Sequence, residues 1–95
     1  MAINTLTTIT HTAVTVANAT TTVKAANADR KWLLIVNDSD ETVYVKLGAA
    51  AVMNQGIRIN AAGGSLELTG GSLYLGAVNG ICASGGKIAL VSEGV

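Results

Sequence analysis

Proline and phenylalanine are missing from this chain, and cysteine and histidine occur once each, at Cys82 and His11. A single cysteine excludes an intrachain disulfide. Set in the apolar run Gly80-Ile81-Cys82-Ala83, it reads as a small core hydrophobe rather than a reactive thiol. One His and one Cys give no ligand spacing for zinc. His11 lies between two threonines, and no Gly-x-Ser-x-Gly elbow accompanies it, which argues against a Ser-His-Asp hydrolase. Charge is scarce as well: 13% of residues are charged, against about 25% in an ordinary globular domain, and the six basic and six acidic residues cancel. The only adjacent basic pair, Arg30-Lys31, falls short of the patch that nucleic acid requires. No stretch approaches the roughly 18 apolar residues of a spanning helix. The opening Met-Ala-Ile-Asn-Thr-Leu-Thr-Thr has neither a basic start nor a long apolar core, so a protein made and kept in the cytoplasm, unless exported by other means, is expected.

Hydrophobic residues, by contrast, make up 49% of the chain. Ninety-five residues form one domain, and a domain of that size buries roughly 60 to 65% of its unfolded surface. A neutral, weakly charged and apolar surface favours association, so much of it is expected to lie against copies of itself or a partner. Without proline and with little charge, the sheet edges also lack their usual guards.

The phrase Gly-Gly-Ser-Leu-x-Leu occurs twice between Ala61 and Gly76. A phosphate-binding loop would place such glycines between a strand and a helix, usually with a following lysine. Here no Lys or Arg lies in the segment, and Ser-Leu-Glu-Leu-Thr and Ser-Leu-Tyr-Leu alternate with period two. The glycines therefore read as turn positions with positive φ, heading two strands that point Leu66, Leu68, Leu73 and Leu75 to one core.

Nine of the eleven threonines fall in the first 22 residues, interleaved with Ile3, Leu6, Ile9, Val14 and Val16. Such β-branched density opposes helix and suits extended chain. An extended arm over residues 1–11 and a single sandwich domain over 12–95 are expected, with strands near Thr12 to Val16 and Thr20 to Ala25. Lys31 to Asn37 is apolar on both phases, which predicts a central strand whose second face is covered. Asn37 to Glu41 reads as a polar turn, a solvated one rather than a calcium loop, closing a hairpin with the alternating strand Thr42 to Leu47. Gly48 to Gly56 reads as a loop with a helical turn. Further strands are expected at Ile57 to Ile59, Ala77 to Ala83 and Lys87 to Ser92. The fold class is all-β: a compact antiparallel β-sandwich or jelly roll of about eight short strands with an extended N-terminal arm. Gly76-x-x-x-Gly80 matches a membrane-helix dimer motif only as a string, since it falls in a strand.

Candidate partner-binding residues follow from these patterns. Ile3, Leu6 and Ile9 recur every three residues along the arm, which could lie on a partner by strand addition. Tyr44 and Tyr74 sit on the polar phase of their strands and read as interface residues, and Arg58 is grouped with them. No cofactor is implied.

The succession of Arg30 to Asn37 with its polar turn, Thr42-Val43-Tyr44-Val45, Gly56-Ile57-Arg58-Ile59, Ala62-Gly63-Gly64-Ser65-Leu66 and Leu75 to Gly85 resembles the small β-rich virion proteins of tailed bacteriophages, including capsid decoration or cement proteins. The similarity covers about Arg30 to Glu93 and leaves out the threonine-rich start. It implies a non-enzymatic virion protein on the outside of the head. Such proteins, often homotrimers, tie neighbouring major capsid protein subunits together against internal DNA pressure. The alternative is a glycan- or receptor-binding module of a tail or head fibre, with Tyr44 or Tyr74 as a stacking platform.

Overall fold

The computed structural model describes residues 5–95. Eight strands follow one another: β1 (Ile9–Val16), β2 (Thr21–Lys24), β3 (Trp32–Asn37), β4 (Val43–Leu47), β5 (Ile57–Ile59), β6 (Ser65–Thr69), β7 (Val78–Cys82) and β8 (Lys87–Gly94). They form two four-stranded antiparallel sheets, ordered β1-β8-β3-β6 and β2-β7-β4-β5. Each strand of the first half of the chain thus lies beside one of the second half: β1 beside β8, β2 beside β7, β3 beside β6 and β4 beside β5. The chain runs four strands out and four back, and successive pairs fall alternately into the two sheets.

Period-two alternation places the core. Leu33 and Ile35 of β3 are buried, as are Ala89 and Val91 of β8 in the first sheet, and Val43 and Val45 of β4 and Val78 of β7 in the second. Together with Cys82, which is fully buried, they form one hydrophobic cluster shared by both sheets, a sandwich-like arrangement. Full burial of each Val, Leu or Ile contributes on the order of 1.5–3 kcal/mol.

Two expectations from the sequence are corrected. First, β3 and β4 do not form a hairpin. They belong to different sheets, and β4–β5 is the single consecutive pair that shares one. The turn between β3 and β4 is instead a crossing, built around Asn37, whose side chain is buried. Its amide nitrogen donates to the Glu41 and Ile59 carbonyls, and its oxygen accepts from the Ser39 hydroxyl. The neighbouring carboxylates are also engaged: Asp40 pairs with Lys87 at 2.7 Å, and Glu41 accepts from the Ser84 amide. The Lys87 partner holds the Asp40 carboxyl below its usual range, and the Ser84 hydrogen bond does so for Glu41.

Second, Leu73 to Leu75 is not a strand. After β6 the chain makes a short 3-10 turn, Gly70–Ser72, and then runs irregularly. The reason lies in Arg30, whose side chain is fully buried. Its guanidinium donates to the carbonyls of Tyr74, Gly76 and Ala25 and, at 2.8 Å, to the Glu93 carboxylate. The Leu75 carbonyl accepts from the Asn27 amide. Acceptors that a strand would offer to a neighbour are thus taken, and Leu75 stays exposed while Leu68 is buried. The glycine pairs meet the expectation in part: Gly63 and Gly70 have φ of +98° and +54°, as turns of this kind need.

Residues 9–11 of the expected arm are the first residues of β1, paired with Ser92 to Gly94. The ladder continues outward through Thr8 and Val95, which exchange both backbone hydrogen bonds.

Candidate functional site

The surfaces on which a partner could rest are the outer faces of the two sheets, and register fixes what each carries. On β3, with Leu33 and Ile35 pointing inward, Trp32, Leu34 and Val36 point outward. Directly opposite Leu34 stand Ser92 on β8 and Glu67 on β6, and opposite Val36 stand Leu90 and Ser65. Across β8 from β1, Ile9 faces Gly94, His11 faces Ser92, Ala13 faces Leu90 and Thr15 faces Ile88. Ile9, Ala13, Ile88, Leu90, Leu34, Val36 and Trp32 therefore form an apolar band on the outer face of the first sheet, which they share with His11, Thr15, Ser92, Ser65, Glu67 and Thr69. Leu90 is 42% exposed and Ile9 47%. This is the second face of the doubly apolar strand noticed in the sequence, and among the described residues only Leu6 is found laid upon it, against Gly94, where any side chain would collide with it.

Four of the polar side chains on this face pair with one another. His11 Nδ1 and Ser92 Oγ are 2.6 Å apart, and Trp32 Nε1 donates to Glu67 at 2.7 Å. These bonds lower the desolvation cost of covering His11, Ser92 and Trp32, while Glu67 still carries a charge to be desolvated. A groove of about 340 Å³ runs past His11, Ala13, Leu90 and Ser92. A second of about 320 Å³ lies between Leu6, Lys31, Trp32 and Thr69. His11 and Ser92 have the spacing of a base and a nucleophile. β8 is flanked by β1 and β3, so its own backbone N–H groups are committed to ladders.

The outer face of the second sheet differs. Tyr44 stands opposite Arg58 and Ile81, and Lys46 opposite Asn79. Loop 48–56 is tied to it: Asn79 donates to the Ala49 carbonyl, Lys46 to the Gln55 side chain, and Thr20 accepts from the Ala51 amide.

The candidate residues named from the sequence thus fall in three places. Leu6 and Ile9 belong to the first face, and Tyr44 and Arg58 to the second. Tyr74 packs partly buried against the core, its ring over Gly48 and Gly76. Ile3 lies outside the described residues. Sequence reasoning did not single out Leu34, Val36, Leu90 and Ile88 as residues of this outer face, although the doubly apolar pattern of β3 signalled the face. It also missed Arg30, for which the sequence carries no signal that pairs it with Glu93.

At Glu93, burial raises the carboxyl pKa, but the hydrogen bonds from Arg30 and Asn27 and the charges of Lys24 and Arg30 outweigh it. The group is held below its ordinary value. The cluster clamps β8 to the β2–β3 linker and the segment before β7, and it belongs to the frame rather than to a binding surface.

Among the described residues no group of three or more His, Cys, Asp or Glu side chains is placed to hold a metal ion. Among the described residues no helix is long and apolar enough to cross a membrane. No protein-family model matches the chain, and neither a curated protein nor a solved structure matches it. What fold and face define together is a class: a small all-β protein of two antiparallel sheets with one apolar outer face.

Proposed function

We propose that the chain is a non-enzymatic structural protein of a phage virion. In this reading it is a decoration or cement protein that sits on the outside of the head, binds the major capsid protein and reinforces contacts between its subunits. The observation that carries this reading is the apolar band on the outer face of the first sheet, where His11 pairs with Ser92 and Trp32 with Glu67. A surface of that kind gains free energy when covered, at roughly 25 cal/mol per Å² of apolar area. The pairing of β1 with β8, β2 with β7, β3 with β6 and β4 with β5 across two sheets supports a jelly roll, an architecture shared by viral capsid and lectin domains. The sequence resemblance to small phage virion proteins points the same way. By the spacing of Ile3, Leu6 and Ile9 among threonines, the start of the chain is, in this reading, the strap for a neighbouring subunit.

The test is co-sedimentation with heads of the phage that carries the gene. The full chain is expected to pellet with heads and to raise the temperature at which they rupture. A chain that stays in the supernatant at all salt concentrations contradicts the proposal. Deleting residues 2–5 spares the Thr8–Val95 ladder and is expected to weaken binding without changing the fold.

A glycan-binding role has one observation in its favour, the half-buried Tyr44 ring directly opposite Arg58 on the second sheet. Under that reading, a sugar panel changes tyrosine fluorescence in the parent chain and not in Y44A.

A further inference from the structure

Four strands lie at sheet edges: β1 and β6 in the first sheet, β2 and β5 in the second. Three of them are guarded. β5 has three residues and carries the exposed Arg58, β2 has four residues with a register break before Lys24, and β6 carries Glu67 at its centre. Shortness, bulges and charge are the devices by which native edges avoid pairing with other chains. β1 has none of them. It runs for eight residues, Ile-Thr-His-Thr-Ala-Val-Thr-Val, without charge, proline or bulge, and Ile9 to Ala13 are all exposed.

The backbone groups free along this edge follow from the ladder. Thr8 and Val95 exchange both hydrogen bonds. In an antiparallel pair such doubly bonded positions recur at every second residue. Thr10, Thr12, Val14 and Val16 therefore bond to β8, while the N–H and C=O of Ile9, His11, Ala13 and Thr15 point away from the sheet.

We infer that β1 pairs antiparallel with β1 of a second copy of this chain, joining the two first sheets into one continuous eight-stranded sheet about a two-fold axis. The register centred on Thr12 sets Ile9 against Thr15 and His11 against Ala13. Every outward N–H and C=O of those four residues then meets a partner. The two Thr12 side chains face each other at the axis, a favourable cross-strand pair, and no like charges are opposed. A second copy is the fitting occupant because the strand is complementary to itself in this register, and because the union leaves the two apolar outer faces side by side. Among the described residues each chain has one unguarded edge, so the pairing closes at two copies and does not propagate. It stands independently of binding to a phage head, and its symmetry differs from the trimer expected from the sequence. Strand pairing of this length covers less than the roughly 800 Å² per partner of a standard interface, so the dimer is expected to dissociate on dilution.

The test is a dilution series of the full chain by size exclusion with light scattering. A mass of about 19 kDa, twice the 9.6 kDa of one chain, is expected at high concentration, falling to one chain on dilution. A13P removes an N–H that points away from β8, as an edge strand tolerates. It is expected to abolish the dimer and leave the circular dichroism spectrum unchanged. A13K makes the same test by charge, without proline's demand on φ. A parent chain that is monomeric up to its solubility limit overturns the proposal, as does a trimer, or a dimer that survives both substitutions in folded protein.

Discussion

The two sheets are built alike, four antiparallel strands each around a shared core, yet their outer faces differ. The first presents Leu34, Val36, Ile88 and Leu90, with His11 paired to Ser92 and Trp32 to Glu67. The second presents Tyr44, Lys46, Arg58 and Asn79 and is tied to loop 48–56. A chain with so little charge has nevertheless kept lysine and arginine on one outer face and off the other. The face left apolar is the one whose central strands, β8 and β3, are held by the buried Arg30–Glu93 clamp at one end and by Asn37 at the other. If that face binds a partner as proposed, backing it with these buried polar contacts lowers the ordering cost of binding.

The largest effect is expected from removing the support common to both faces. R30A leaves the Glu93 carboxylate without its main partner. Breaking a buried pair in this way costs about 3–5 kcal/mol, enough to unfold much of a small domain and erase the contrast between faces; urea denaturation measures it. N37A removes donors to the Glu41 and Ile59 carbonyls where the chain crosses between sheets. It is expected to cost about 1–3 kcal/mol by the same measurement.

Acid sharpens the account of the clamp. In the folded chain Glu93 titrates below its ordinary value of 4.5, so the unfolded chain takes up the proton first as pH falls. Its contribution to stability is complete above that ordinary value and drains away as pH drops through the folded-state one. E93Q is expected to be less stable at neutral pH and to have a shallower acid limb in stability against pH. The smallest effect is expected at the exposed Asp40–Lys87 pair: D40A should leave the unfolding midpoint unmoved, as isolated surface pairs usually do.

Much of this architecture was legible in the sequence through period two. The alternation in β4 and β6, the doubly apolar β3, and Cys82 as a core residue all follow from residue order. Pairing was not legible. Neighbouring strands in sequence pair more often than not, which suggested a β3–β4 hairpin, and nothing local reveals that the Asn37 side chain will be buried to carry the chain across to the other sheet. Leu73 to Leu75 had the alternation of a strand, but its carbonyls are taken by Arg30 and Asn27 from a distant linker. Long-range polar contacts leave no periodic trace. The outer face was foreseen as something to be covered, whereas its other contributors from β8 emerged only with the register.

The most direct test of the central claim sets the two faces against each other in the head-binding assay. Leu90 and Arg58 are both surface residues whose replacement should change stability by no more than about 0.5 kcal/mol. L90E is predicted to reduce binding to heads tenfold or more, and R58E to leave it within twofold of the parent chain. The reverse pattern, with L90E binding normally and R58E failing, would contradict the assignment of the apolar face as the contact surface.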